Sequence, residues 1–296
     1  MVMLLNIIER SVKFNFPIEI AILDGYVSED KDHEIQCSLS YAPISPQEWK
    51  KYLSNLTLTT DSGDKKYTVK EISASKITNR YSLVVNPFGE FYPEIDIEKK
   101  VIFSIIEDYI FNGGIFVCAD GFPLFYAWDV TEGKSIPIAE EKILIPETIK
   151  VELDKLSGQI RNLIIEQYKH VLLFSGSLFW KVFGAVTTSD TPVHSGPCLV
   201  EVYQKNEDLQ RFRNLTSTKN GDKVKEFRAI TEKSKNCIPL LRARRPEADF
   251  GEVYPIAAVP YGDGYLLTCG MKIEDENEKQ KTLLSVDRFI EWLQKR

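Results

Sequence analysis

The chain has little of what a disulfide scaffold, a metal site or a nucleic-acid interface is built from. Its five cysteines, Cys37, Cys118, Cys198, Cys237 and Cys269, are odd in number, widely spaced and free of any CxxC pair. That argues against a disulfide framework and a cysteine-rich zinc site. Three histidines, His33, His170 and His194, are too few for a histidine-rich metal site. No long basic run occurs, and 37 Lys and Arg against 43 Asp and Glu give a net charge of -6. The electrostatic footprint of a nucleic-acid binder is therefore missing. Nowhere do about 18 apolar residues run together, so no membrane span is expected. The opening MVMLLNIIERSVKF is interrupted at Glu9 and Arg10 and has no leading basic region, which excludes a signal peptide and leaves the cytoplasm as the expected location. Neither GxGxxG nor GxxxxGKS/T is present, and no cofactor is expected.

What is present reads as a globular α/β chain of 296 residues, long enough for a large core. Ile18 to Leu23 is a nearly continuous apolar run, suited to a strand covered on both faces, and stops at Asp24-Gly25. Ser45-Pro46-Gln47-Glu48 is a helix start, followed by Trp49, Leu53 and Leu56 on one side. Residues 57 to 66 read as a polar loop, and Tyr67 to Ile72 as a second strand. The stretch from Tyr81 to Phe125 then reads as strand, polar turn, helix, strand. Tyr81 to Val85 breaks at Asn86-Pro87-Phe88-Gly89-Glu90, a helix spans Asp96 to Asn112 and stops at Gly113-Gly114, and Ile115 to Cys118 follows at once. This is a βαβ crossover, the signature of a parallel sheet.

Farther on, helical spacing marks Glu147 to Tyr168 and Leu283 to Leu293. Strand-like runs cover Cys198 to Tyr203, Glu226 to Ile230, Tyr254 to Val259 and Tyr265 to Cys269, with Gly262-Asp263-Gly264 as a turn between the last two. A single domain over 1–296 with an insertion at about 130–250 is expected.

In open parallel sheets ligands bind beyond the carboxyl ends of the strands. Asp24, the Asn86 to Glu90 turn and Cys118-Ala119-Asp120-Gly121 all fall there. The carboxylates Asp24, Glu90 and Asp120 could serve as an acid, a metal site or a clamp for a polyol or amine, and Asn86, Gly89 and Glu90 equally as turn-formers. Glu94 and Asp96 read as caps of the following helix. Cys118, ending a strand abruptly, is either a nucleophile with His194 as base or a buried core thiol. Arg242, Arg244 and Arg245 are either an anion clamp or loop residues paired with Glu247 and Asp249.

The runs VVNPFGE, IFVCADGFP and YPIAAVPYGDGYLLTCG, with Asn112-Gly113-Gly114 between the first two, resemble in their order the class I glutamine amidotransferase-like superfamily. The resemblance covers about Ile18 to Phe125 and Val253 to Gly270, and is nearest to ThuA-like and β-galactosidase-trimerisation-like members, many of which lack catalysis. It implies a flavodoxin-like three-layer fold with a mostly parallel central sheet, a nucleophile elbow near Cys118 and an oxyanion loop at Phe88-Gly89-Glu90. The usual Gly-x-Cys-x-Gly elbow is replaced by Val117-Cys118-Ala119-Asp120-Gly121, and no His-x-Glu pair occurs. The expected role is thus a non-glutaminase module that binds a small polar ligand or a protein partner through Asp24, Asn86, Gly89, Glu90 and Asp120. The alternatives are a cysteine-dependent hydrolase or amidase using Cys118 and His194, and an assembly subunit, including a homo-oligomer.

Overall fold

Apolar runs too continuous to leave one face in water build the centre of the sheet. The computed structural model describes residues 18–25, 42–60, 63–121, 123–124, 126–130, 133–137, 187–190, 198–202, 222–224, 227–231, 237–244, 253–270, 273 and 275–294. Five strands lie parallel: β1 (Glu19–Leu23), β4 (Thr68–Ile72), β5 (Leu83–Asn86), β7 (Ile115–Ala119) and β16 (Gly264–Cys269). Their spatial order is β4-β1-β5-β7-β16. All side chains of β5, β7 and β16 are buried, as a strand packed on both faces requires.

Beyond β16 the sheet turns antiparallel through β15 (Val253–Tyr261), β14 (Ile238–Arg244), β11 (Cys198–Val202) and β12 (Asp222–Val224), with β13 (Phe227–Thr231) paired to β15 and β10 (Thr187–Asp190) paired to β13. The whole is a mixed sheet of eleven described strands in an α/β fold. Strands from the stretch expected as an insertion hydrogen-bond into this same sheet. Arg242 and Arg244 belong to β14 rather than a loop; their side chains and Arg245 lie outside the described residues, as does the helix expected at Glu147 to Tyr168.

Alternation along each strand divides the core in two. Ile20, Ile22, Leu83, Val85, Ile115 and Val117 pack with α1 (Pro46–Asn55) and α3 (Glu276–Gln294). Ala21, Leu23, Val84, Phe116 and Cys118 pack with α2 (Val101–Phe111) on the other face. The start of α1 is local chemistry: Glu48 N–H donates to Ser45 Oγ at 3.3 Å, and Ser45 N–H donates to Glu48 Oε2 at 2.9 Å. Two departures from the expected pattern occur before α2. Within residues 57–66, β2 (Thr57–Thr60) and β3 (Gly63–Lys66) pair antiparallel; the threonines of β2 suit a strand, whereas Gly-Asp-Lys-Lys of β3 carries no strand signal of its own and is held by that pairing. Phe91–Glu94, expected as loop, is β6, which with β8 (Tyr126–Asp129) and β9 (Lys134–Pro137) makes a small second sheet.

The carboxyl end of α2 is fixed from two sides. Gly114 N–H donates to Tyr109 O at 2.9 Å and Gly113 N–H to Ile110 O at 3.0 Å, with Gly113 at φ 101, a Schellman ending. Asp263 N–H, in the turn between β15 and β16, donates to Phe111 O at 2.9 Å. Beside it the Tyr109 hydroxyl donates to Tyr81 O at 3.0 Å, and its ring fills the space above Gly114, where a Cβ would meet ring carbons at 2.3 to 2.5 Å.

Gly114→Ala is expected to displace that ring and lower stability by roughly 2 kcal/mol or more in chemical denaturation. Gly133→Ala, at φ 64 with nothing within 4 Å, should lose only about 1 kcal/mol from its left-handed backbone.

Acid sensitivity has two definable sources. Hydrogen bonding to Arg80 and Lys70 holds the Glu19 carboxyl down at about 2, and hydrogen bonding to Lys279 and Ser45 holds Glu48, which ties α1 to α3, at about 2. Because both values are depressed by folding, their contribution is complete above about pH 4.5 and is lost as pH falls toward 2. Glu19→Gln should flatten that acid limb of the thermal midpoint more than Glu48→Gln, since Glu19 is 15% exposed and Glu48 45%.

Candidate functional site

Because β4, β1, β5, β7 and β16 are parallel, every loop that follows one of them leaves from the same, carboxyl edge of the sheet. Asp24-Gly25 follows β1, residues 87–90 follow β5, Asp120-Gly121 follows β7, and Ile273, after β16, lies beside them. Backbone hydrogen bonds knit this edge. Asp24 N–H donates to Ile72 O at 3.0 Å, and Asp120 N–H donates to Cys269 O at 2.7 Å. Ile273 N–H donates to Asp120 Oδ1 at 3.2 Å, a contact from the β16–α3 connection that no local pattern announces.

The β5 and β7 loops touch. Gly89, at φ 65, approaches so closely that a Cβ would lie 2.9 Å from Asp120 O. Gly121, at φ 87, lies under the Glu90 side chain, and a Cβ there would meet Glu90 Cγ at 2.3 Å. Glycine is required at both by space as well as by backbone angle. Asp120 itself stands at φ 67 and is 6% exposed, while Asp24 and Glu90 are half-buried. Each of the three carboxylates makes contacts within the protein. Among the described residues no three of His, Cys, Asp and Glu are arranged to hold a metal ion.

Asn86 is fully buried and its amide is engaged by the turn: Nδ2 donates to Phe91 O at 2.7 Å, and Phe88 N–H donates to Oδ1 at 3.3 Å. It also hydrogen-bonds to Cys118. These bonds match the turn-forming role weighed for it.

Cys118 lies inside β7, paired in register with Asn86 on one side and Thr268 on the other, and its side chain faces the α2 layer at 2% exposure. The left-handed turn occurs at Asp120, two residues later. Burial pushes the Cys118 thiol well above its ordinary value, and the neighbouring Cys269 adds to the rise. The sulfur thus has neither the depressed pKa nor the access that a nucleophile needs. His194, its expected base, lies outside the described residues, as do His33 and His170.

Glu94 is the best-defined charged group here. Completely buried, its Oε1 accepts from Ile95 N–H at 2.9 Å, Asp96 N–H at 3.3 Å and Ile102 N–H at 3.0 Å, and Oε2 accepts from Phe103 N–H at 3.2 Å. Ile102 and Phe103 are the second and third residues of α2, whose own N-cap, Lys100, is left-handed at φ 53 and offers no side-chain cap. Asp96, expected to begin the helix, instead closes the preceding turn by accepting from Lys99 N–H at 3.0 Å. The helix therefore begins at Val101. Tyr92, two residues before Glu94, is buried without a hydrogen-bond partner for its hydroxyl among the described residues, and burial together with the Glu94 charge pushes its ionisation well up. Phe91 and Tyr126 stack at 5.0 Å on the outer face of the small sheet.

No protein-family model matches the chain, and no curated protein matches it in sequence. Solved structures with some likeness include a β-galactosidase from Bacillus circulans sp. alkalophilus, at 10% identity and TM-score 0.48, covering 93% of this chain and 31% of that one. The chain spans about a third of that enzyme's length. A cytoplasmic protein of Salmonella typhimurium LT2 shows 10% identity and TM-score 0.41 over 90% of this chain and 92% of its own. A second from Salmonella typhimurium shows 9% identity and TM-score 0.42 over 92% and 98%. Likeness at this level carries no argument about activity, and the strand order stands by itself. Among the described residues no helix is long and apolar enough to cross a membrane.

Cys118 and Cys269 are expected to resist a thiol-reactive probe at neutral pH until the protein is unfolded. Peptide mapping of the labelled native protein should find neither; rapid native labelling of Cys118 would contradict its placement.

Proposed function

We propose that the chain is an amidotransferase-like α/β module without glutaminase chemistry, and that it binds a small polar ligand through the loops carrying Asp24, Gly89, Glu90 and Asp120. The observation that carries this reading is the contact of the β5 and β7 loops at the carboxyl edge, where glycines bring two backbones together under a pair of carboxylates. Taken in chain order, the parallel strands run 2-1-3-4-5, the order of flavodoxin-like sheets, whose ligands bind outside the switch point between the first and third. In this chain that point lies between β1 and β5, with Asp24 on one side and residues 86–90 on the other. Buried Cys118 and the lack of a His-x-Glu pair favour binding over acyl transfer.

Titration of the labelled protein with small polyols and with small amines, read by amide NMR, tests the reading. Saturable shifts are expected at Gly89, Glu90, Asp120 and Gly121, and Glu90→Gln with Asp120→Asn should weaken binding roughly tenfold or more. Shifts confined to other surfaces, or none with either class, would sink it. Shifts of the same amides on raising protein concentration alone would identify self-association at this edge instead.

A further inference from the structure

The amino end of a helix that follows a parallel strand is where α/β proteins hold phosphate and carboxylate groups, because unpaired N–H groups and the helix dipole converge there. In this chain that position is filled from within. The Glu94 carboxylate lies against the N–H groups of Ile102 and Phe103, the two donors that a bound anion or an N-cap side chain would take, and collects those of Ile95 and Asp96 as well. It reaches them from six residues before the N-cap, and the N-cap contributes no side chain. Two residues earlier in β6, the Tyr92 hydroxyl is buried without a hydrogen-bond partner among the described residues.

We propose that Glu94 is a built-in occupant of the anion position at the head of α2, so that the carboxyl-edge site takes a neutral or cationic ligand, a polyol or an amine, and rejects phosphate and carboxylate groups. The ligand class rests on the reading of that edge as a binding site, whereas the occupancy by Glu94 does not. The charge of the neighbouring loops agrees. Residues 86–98, NPFGEFYPEIDIE, and 118–130, CADGFPLFYAWDV, hold Glu90, Glu94, Asp96, Glu98, Asp120 and Asp129 and contain no Lys or Arg. The cations nearest in sequence are Lys99 and Lys100, which close the first loop, and Lys99 is paired with Asp96 at 2.8 Å; the usual donors to an anion are already taken.

Glu94→Ala removes four heavy atoms, the same number as acetate contains, and leaves the N–H groups of Ile102 and Phe103 facing the vacated space. The variant is expected to melt roughly 5 °C or more below the parent. Sodium acetate or formate should restore much of that loss, while sodium chloride at the same ionic strength should not. Parent protein measured in the same salts removes general salt effects. In parallel, titrating the parent with inorganic phosphate should leave the Ile102 and Phe103 amide resonances unmoved. Restoration no greater in acetate than in chloride overturns the proposal, and this includes a variant that fails to fold in either salt. Saturable phosphate shifts at Ile102 and Phe103 in the parent overturn it independently. If acetate rescues the variant while polyols and amines leave the carboxyl edge unperturbed, Glu94 is the occupant and the binding reading is what has failed.

Discussion

A carboxylate with no exposure to solvent must be met by donors on every side, and the arrangement around Glu94 follows from that requirement. Four backbone N–H groups supply them. Leaving such a charge unpaired would cost several kcal/mol, so β6, the turn after it and the first residues of α2 must keep their relative positions. The opposite end of α2 is held as firmly, by the Schellman bonds at Gly113 and Gly114 and by Asp263 N–H on Phe111 O. A helix fixed at both ends holds the loops on either side of it in register with the sheet.

The sheet separates two tasks along its width. The parallel block from β4 to β16 sends each following loop to one edge, which concentrates Asp24, Glu90 and Asp120 there. Beyond β16 the described strands β15 and β14 alternate direction. The β15–β16 turn lies at the amino edge, where it closes the end of α2. Tyr261 strengthens this contact by donating from its hydroxyl to Glu107 Oε1 at 2.6 Å and meeting Phe111 edge-on at 5.6 Å.

Cys118 illustrates how the pleat decides chemistry. Successive side chains of a strand point to opposite faces, so Val117 and Ala119 enter the layer of α1 and α3 while Phe116 and Cys118 enter that of α2. A strand ending two residues earlier, at Val117, could have carried the sulfur into the loop. Because β7 continues through Ala119, the thiol is enclosed and its hydrogen bonding passes to Asn86 and the backbone of Leu124. The left-handed turn then falls to Asp120, a residue type that tolerates it better than most.

Much of the local structure was legible from short segments. Ser45 to Glu48 specified the start of α1, the apolar runs specified β1, β7 and β16, and Gly113-Gly114 and Gly262-Asp263-Gly264 marked where chain direction changes. These signals act through neighbours within a few residues, and so a sequence carries them in the open. The start of α2 was misplaced by five residues because, of the two caps read for it, Asp96 closes the preceding turn and Glu94 reaches the helix from β6, six residues before the N-cap. β2 and β3 read as loop because the polar runs Thr-Leu-Thr-Thr and Gly-Asp-Lys-Lys leave no apolar alternation to read. By itself the sequence determined the α/β character and the segments from which the carboxyl edge is built. Only the tertiary structure decided that β1 lies between β4 and β5, that Glu90 covers Gly121 and that Cys118 faces inward. Strand order and register depend on pairings between residues far apart in the chain, and no local pattern encodes them.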